Sequence, residues 1–143
     1  MSTKSKLLIA LLAALPASWT AFAAELTPPA KFEIEGLLLR LGTSECQFQR
    51  NGTWYGATRA REHIAMKYQQ LLSNNAVSTA EDFIALAATR SSLSGKPYQV
   101  KCGSHEPVWS ADWMASQLQE IRTSYPKSVS AGRPGEGDGK RTN

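Results

Sequence analysis

A chain of 143 residues and 15.6 kDa, 42% hydrophobic and 20% charged, has room for one small domain and none for a multidomain enzyme. With 10 Gly, 7 Pro and 2 Cys it is not collagen-like, low-complexity or a disulfide-dense scaffold. The formal net charge of +4 suggests a nucleic-acid or membrane partner only until the charges are located along the chain.

Lys4 and Lys6 precede an unbroken apolar run over residues 7–15, and after Pro16 comes the small-x-small pattern Ala21-Phe22-Ala23. Nine helical residues rise only about 14 Å, half of a ~30 Å bilayer core. Residues 1–23 therefore read as a secretory signal cleaved after Ala23, with no membrane span left afterwards. Residues 24–125 are expected to form a single domain. Residues 126–143, rich in Ser, Gly, Pro and charge, read as a disordered tail.

Two positive charges leave with the signal, and the tail from Lys127 carries four basic residues against two acidic. Residues 24–126 hold ten charges of each sign. No Lys/Arg run interleaves with aromatics there, so no nucleic-acid partner is expected.

Thr27-Pro28-Pro29 opens a first helix, with Thr as cap and Pro in the first turn. Phe32, Ile34, Leu37, Leu38 and Leu41 supply its apolar face, and Gly42 its stop. Cys46 and Phe48 then alternate with Gln47 and Gln49 up to Asn51-Gly52, and Trp54-Tyr55 follows. Alternation around Asn-Gly predicts a hairpin, because both residues accept positive φ.

From Ala57 to Leu72 the helical period returns, with Ala60, Ile64, Tyr68 and Leu71 on one face and a break at Ser73-Asn74-Asn75. A third helix is expected from Ser78 or Thr79, with Ser78 and Glu81 as a capping box and Phe83, Ile84, Leu86 and Ala87 inward. A polar loop over residues 91–97 leads to a strand in which Tyr98, Val100 and Cys102 alternate. A fourth helix, from about Ser110 to Arg122, buries Trp113, Met114, Leu118 and Ile121. The expected fold is α+β, about four helices packed on a small antiparallel sheet made of the hairpin plus the late strand.

In an exported domain, Cys46 and Cys102 read as a structural disulfide, one that brings the hairpin beside the late strand. Closing so long a loop stabilises the fold by about 4 kcal/mol in the chain-entropy account. There is no Cys-x-x-Cys, and two Cys with two scattered His do not read as a zinc site, so neither metal nor cofactor is expected.

Chemistry-bearing residues are few. His63, with Lys67 one turn on, borders an apolar arc and reads either as a general base or as a boundary histidine satisfied by one hydrogen bond. His105 lies in a loop beside Glu106-Pro107. Ser91, Ser92 and Ser94 with Gly95 and Lys96 offer hydroxyls, N–H groups and one cation, a mixture suited to anions. The spacing fails the phosphate-loop pattern, Ser-x-x-Lys and Gly-x-Ser-x-Gly alike. Trp54, Trp109 and Trp113 suit either a sugar- or peptide-binding surface or core packing.

The ordered set Cys46-x-Phe48-x-Arg50-Asn51-Gly52-x-x-Tyr55, Ala60-x-x-His63-x-x-x-Lys67, Ala80-Glu81-x-Phe83-Ile84 and Ser91-Ser92-x-Ser94-Gly95-x-Pro97-Tyr98 resembles the YfeK-like family of small exported bacterial proteins. The likeness runs from about Glu35 to Arg122. It implies a periplasmic protein with no established activity. It also implies a recurrent set: Arg50, Asn51, Gly52, Tyr55, His63, Lys67, Ser91, Ser92, Ser94, Gly95, Pro97 and Tyr98.

No complete set of nucleophile, base and orienting group can be assembled from these residues. The leading expectation is a non-enzymatic periplasmic interaction module, displaying the Asn-Gly hairpin, the His63/Lys67 helix edge and the serine-rich loop with Lys96 as one patch toward an envelope component or another periplasmic protein. Two further readings are an inhibitor or immunity protein against an envelope-degrading enzyme, and a small envelope hydrolase using His63 with a loop serine.

Overall fold

The computed structural model describes residues 25–124. The signal expected at 1–23 and the tail expected at 126–143 lie outside the described residues. Helix α1 (Pro28–Thr43) starts as its sequence demands, with the Thr27 hydroxyl accepting from the Ala30 N–H. It buries Ile34, Leu37, Leu38 and Leu41. Phe32 was expected on that face but is 47% exposed, because a residue two positions from Ile34 points to a different side of the helix.

Gly42 does not stop the helix, which runs on to Thr43. Its role is one of space: a Cβ there would run into Cδ of Arg61, so the missing side chain leaves room for the Arg61 side chain of the second helix to lie against α1.

Strands β1 (Cys46–Arg50) and β2 (Thr53–Gly56) form the expected hairpin. Its turn residues Asn51 and Gly52 both have positive φ, 51° and 85°. Helix α2 (Ala57–Ser73) follows at once and buries Ile64 and Tyr68.

Helix α3 (Ala80–Phe83) is capped one residue later than expected, by Thr79 and Asp82 in place of Ser78 and Glu81. The Asp82 carboxylate accepts from the N–H groups of both Ser78 and Thr79, each at 3.0 Å. From Ile84 to Ala88 the chain widens into a π-helical segment. The wider turn rotates the inward face, leaving Leu86 47% exposed and burying Ala88 instead.

Strands β3 (Gln99–Cys102) and β4 (Val108–Trp109) complete an antiparallel sheet of order β2-β1-β3-β4, and α4 (Ser110–Ser124) closes the fold. Strand β4 has no counterpart in the sequence reading, since two residues after His105-Glu106-Pro107 are too few for an alternating pattern. The fold class is α+β, as expected.

The disulfide is present, and Cys46 and Cys102 are direct cross-strand partners of β1 and β3 with Cα atoms 4.2 Å apart. Phe48 faces Tyr55 on one side and Val100 on the other. Trp113 packs edge-on to Phe48 at 5.5 Å between ring centroids, and Tyr68 to Phe83 at 5.4 Å.

Replacing both Cys46 and Cys102 by Ala removes the loop constraint without leaving a free thiol. Urea titration of this double variant is expected to show about 4 kcal/mol less stability than the parent under oxidising conditions. A loss under about 1 kcal/mol would mean that the disulfide constrains little.

Candidate functional site

The strand period places Arg50 on the same face of β1 as Cys46 and Phe48. Continuing the β1–β3 register past Gln49↔Gln99 brings Arg50 level with Tyr98. Helix α2 lies against β1 and β2, and its half-buried His63 meets both side chains. Nη1 of Arg50 is 3.3 Å from Nδ1 of His63, and Nε2 of His63 is 3.1 Å from the Tyr98 hydroxyl.

These contacts fix the imidazole's protonation. A guanidinium only donates, so Nδ1 accepts from Arg50. A neutral imidazole then carries its proton on Nε2 and donates it to the Tyr98 oxygen. The electrostatics agree: burial, then the charges of Arg50 and Lys67, hold the His63 pKa below its ordinary value. Burial and Arg50 likewise lower the Lys67 pKa, while burial raises that of Tyr98. Tyr98 therefore remains a protonated phenol whose oxygen accepts from His63 and whose own hydrogen no described residue accepts.

Lys67 reaches past this chain. Its ammonium donates to the Arg90 carbonyl at 2.8 Å and lies 5.3 Å from the Tyr98 ring centre. Arg59, one turn before His63, lies over the Tyr55 ring at 5.9 Å.

Arg50, Tyr55, His63 and Tyr98 line a pocket of about 240 Å³. Its floor is apolar, from Leu41, Phe48, Ile64 and Met114, and Arg59 and Glu62 stand in its wall. Ser110, buried with 4% exposure, belongs to the wall and donates its backbone N–H to the Tyr98 carbonyl.

The serine-rich loop does not line the pocket but packs on the hairpin turn. Ser91 is 3% exposed and organises the loop itself: its N–H donates to the Lys96 carbonyl, its carbonyl accepts from Gly95, and its hydroxyl accepts from the Ser94 N–H. The Ser94 hydroxyl donates to Oδ1 of Asn51 at 2.6 Å, tying the loop to the hairpin turn that Gly52 completes. Ser92 and Lys96 are exposed.

The expected residues thus fall into two groups, a pocket (Arg50, Tyr55, His63, Tyr98, with Lys67 beside it) and a loop-to-turn contact (Asn51, Ser94). Both ring nitrogens of His63 are engaged by Arg50 and Tyr98. Among the described residues no serine hydroxyl bonds to His63, so this geometry does not favour the hydrolase reading.

A family model matches residues 28–122. The chain belongs to DUF5329, a family of unknown function. No curated protein and no solved structure matches it. The match covers every residue lining the pocket of this DUF5329 domain.

Sequence reasoning passed over Arg59, Glu62 and Ser110. Arg59 carried a signal, since it stands four residues before His63 just as Lys67 stands four after, on the same helix face. Ser110 carried none, because its place in the pocket depends on how α4 returns to β3.

Because the fold lowers the His63 pKa, the unfolded chain takes up the proton first as pH falls. Stability contributed by neutral His63 is complete above the ordinary value of 6.5 and is lost as pH drops from there through the folded value. Urea midpoints measured between about pH 7.5 and 5 are expected to fall for the parent. The decline should be shallower in His63→Gln, whose amide can accept from Arg50 and donate to Tyr98 without titrating. Equal slopes in the two proteins would place the titration elsewhere.

Proposed function

We propose that this DUF5329 protein is an exported, non-enzymatic binding module whose ligand site is the pocket between β1, β2 and α2. The observation that carries the binding reading is the combination of an apolar floor with two guanidiniums, Arg50 and Arg59, that have no carboxylate within ion-pair distance among the described residues. Arg40 and Arg122, by contrast, pair with Glu120 and with Glu33 and Glu81 on the surface. Cations lining a concave apolar site, already positioned by neighbouring side chains, suit a ligand that supplies the missing charge.

The non-enzymatic reading is supported by the state of His63, which is neutral and engaged at both nitrogens and so has no free lone pair for proton abstraction. Export is supported by the basic start at Lys4 and Lys6, the apolar run, the Ala21-Phe22-Ala23 pattern and the disulfide. The resemblance to YfeK-like exported proteins points the same way and makes the periplasm the compartment proposed.

Protein recovered from an osmotic-shock fraction is expected to have an intact mass beginning at Ala24. Titrated with a chemically diverse fragment set, this material should show amide and side-chain NMR shifts that converge on Arg50, Tyr55, His63 and Tyr98. A mass retaining residues 1–23 contradicts export. Fragments that shift nothing around the pocket contradict the binding site.

A further inference from the structure

We infer that the pocket selects a small apolar monoanion, a carboxylate at the end of an aliphatic or aromatic body of on the order of ten non-hydrogen atoms. This deepens the binding reading and rests on it. Three observations set the ligand class.

The first is size. A pocket of about 240 Å³ falls below the roughly 300–1,000 Å³ that houses drug-sized ligands, so the ligand is small. Its floor of Leu41, Phe48, Ile64 and Met114 asks for a hydrocarbon body. Met66, 66% exposed in the wall, is a flexible side chain that can adapt to that body's shape.

The second is charge. Two guanidiniums and one carboxylate, that of Glu62, stand in the wall, and His63 is neutral. The lining carries one net positive charge, which a single negative charge on the ligand cancels, and Lys67 stands outside it with its ammonium engaged by the Arg90 carbonyl. A dianion would bring its second charge against Glu62, and an ammonium would meet two guanidiniums.

The third is donors without acceptors. Arg50 spends one N–H on His63 and holds the rest of its fork in reserve. Tyr98 accepts from His63, so its own O–H remains to be donated. Arg59 lies over the Tyr55 ring and has no hydrogen-bond acceptor among the described residues, so its N–H groups remain for one. A carboxylate accepts through both oxygens and satisfies guanidinium and phenol donors together. An alcohol or amide has less acceptor capacity and no charge to offer in return.

The test uses the mature protein with octanoate and 3-phenylpropionate as probes, and octanol and octylamine as controls, followed by calorimetry and by NMR shifts at Tyr55, His63 and Tyr98. The carboxylates should bind at the pocket at least about tenfold more tightly than octanol, the difference that one charge-assisted hydrogen bond supplies. Octylamine should not shift these residues.

Arg59→Gln changes an exposed side chain that does not brace His63. It should weaken octanoate several-fold while weakening octanol by much less, and the lost contact with Tyr55 should lower the urea midpoint only slightly. Arg50→Gln should weaken octanoate more. Octanol binding as tightly as octanoate, or octylamine displacing it, overturns the anion assignment while the pocket still stands as a binding site. A fragment set that finds nothing at the pocket removes the binding reading and this inference together.

Discussion

The register of β1 is the constraint on which the rest of the structure depends. This strand lies inside the sheet, paired with β2 on one edge and β3 on the other, and Cys46 is covalently joined to its partner Cys102. Side chains alternate across a strand, so a slip of one residue would carry Cys46, Phe48 and Arg50 to the opposite face. The core would lose Phe48, and the pocket would lose its first cation. A disulfide between residues directly opposite each other excludes that slip while the bond is intact. The cross-link therefore does more than restrict the unfolded chain: it holds Arg50 level with Tyr98.

Helix α2 then reads this face of the sheet. Its burial depends on Ile64 and Tyr68, and the same rotation that buries Ile64 turns His63 toward Arg50 and Tyr98. Apolar burial positions the helix, and the polar chain follows from the neighbouring position. The result is a partly buried imidazole kept neutral between a guanidinium and a phenol. A cation beside it would meet Arg50 and Lys67 in a partly desolvated site, where like charges repel more strongly than in water. Some charges elsewhere are paired at the surface, as Arg122 is with Glu33 and Glu81, and such exposed pairs contribute little to stability. Arg50 and Arg59 differ from them in lining an apolar hollow without an ion-pair partner among the described residues.

Much of this was legible in the sequence, for local reasons. Thr27-Pro28-Pro29, Asn51-Gly52 and the periodicity of residues 57–72 each encode their element within a few residues, and the two cysteines encode a long-range contact. What was not legible depends on competition between near neighbours or on tertiary return. Ser78 and Thr79 are both capable caps, and only the reach of the Asp82 carboxylate decides between them. A π turn after Phe83 has no simple pattern, so the exchange of Leu86 for Ala88 could not be seen. Gly42 was expected to stop the helix, and only the position of Arg61 shows that its missing side chain serves a contact between α1 and α2. In the site, Arg50, Tyr55, His63 and Tyr98 were each singled out, together with the serine-rich loop, which is tied to Asn51 next to Arg50. Composition marked that loop as polar without saying which way it faced.

The central claim is that His63 is a neutral imidazole that accepts from Arg50 at Nδ1 and donates from Nε2 to Tyr98. Long-range ¹⁵N–¹H correlation spectra of the imidazole, recorded at neutral pH, report this directly. The account predicts one pyrrole-type nitrogen at Nε2 and one pyridine-type nitrogen at Nδ1, with the Nδ1 resonance shifting further downfield in Arg50→Gln as its hydrogen bond is lost. A protonated Nδ1, or an imidazolium with both nitrogens protonated, would contradict it.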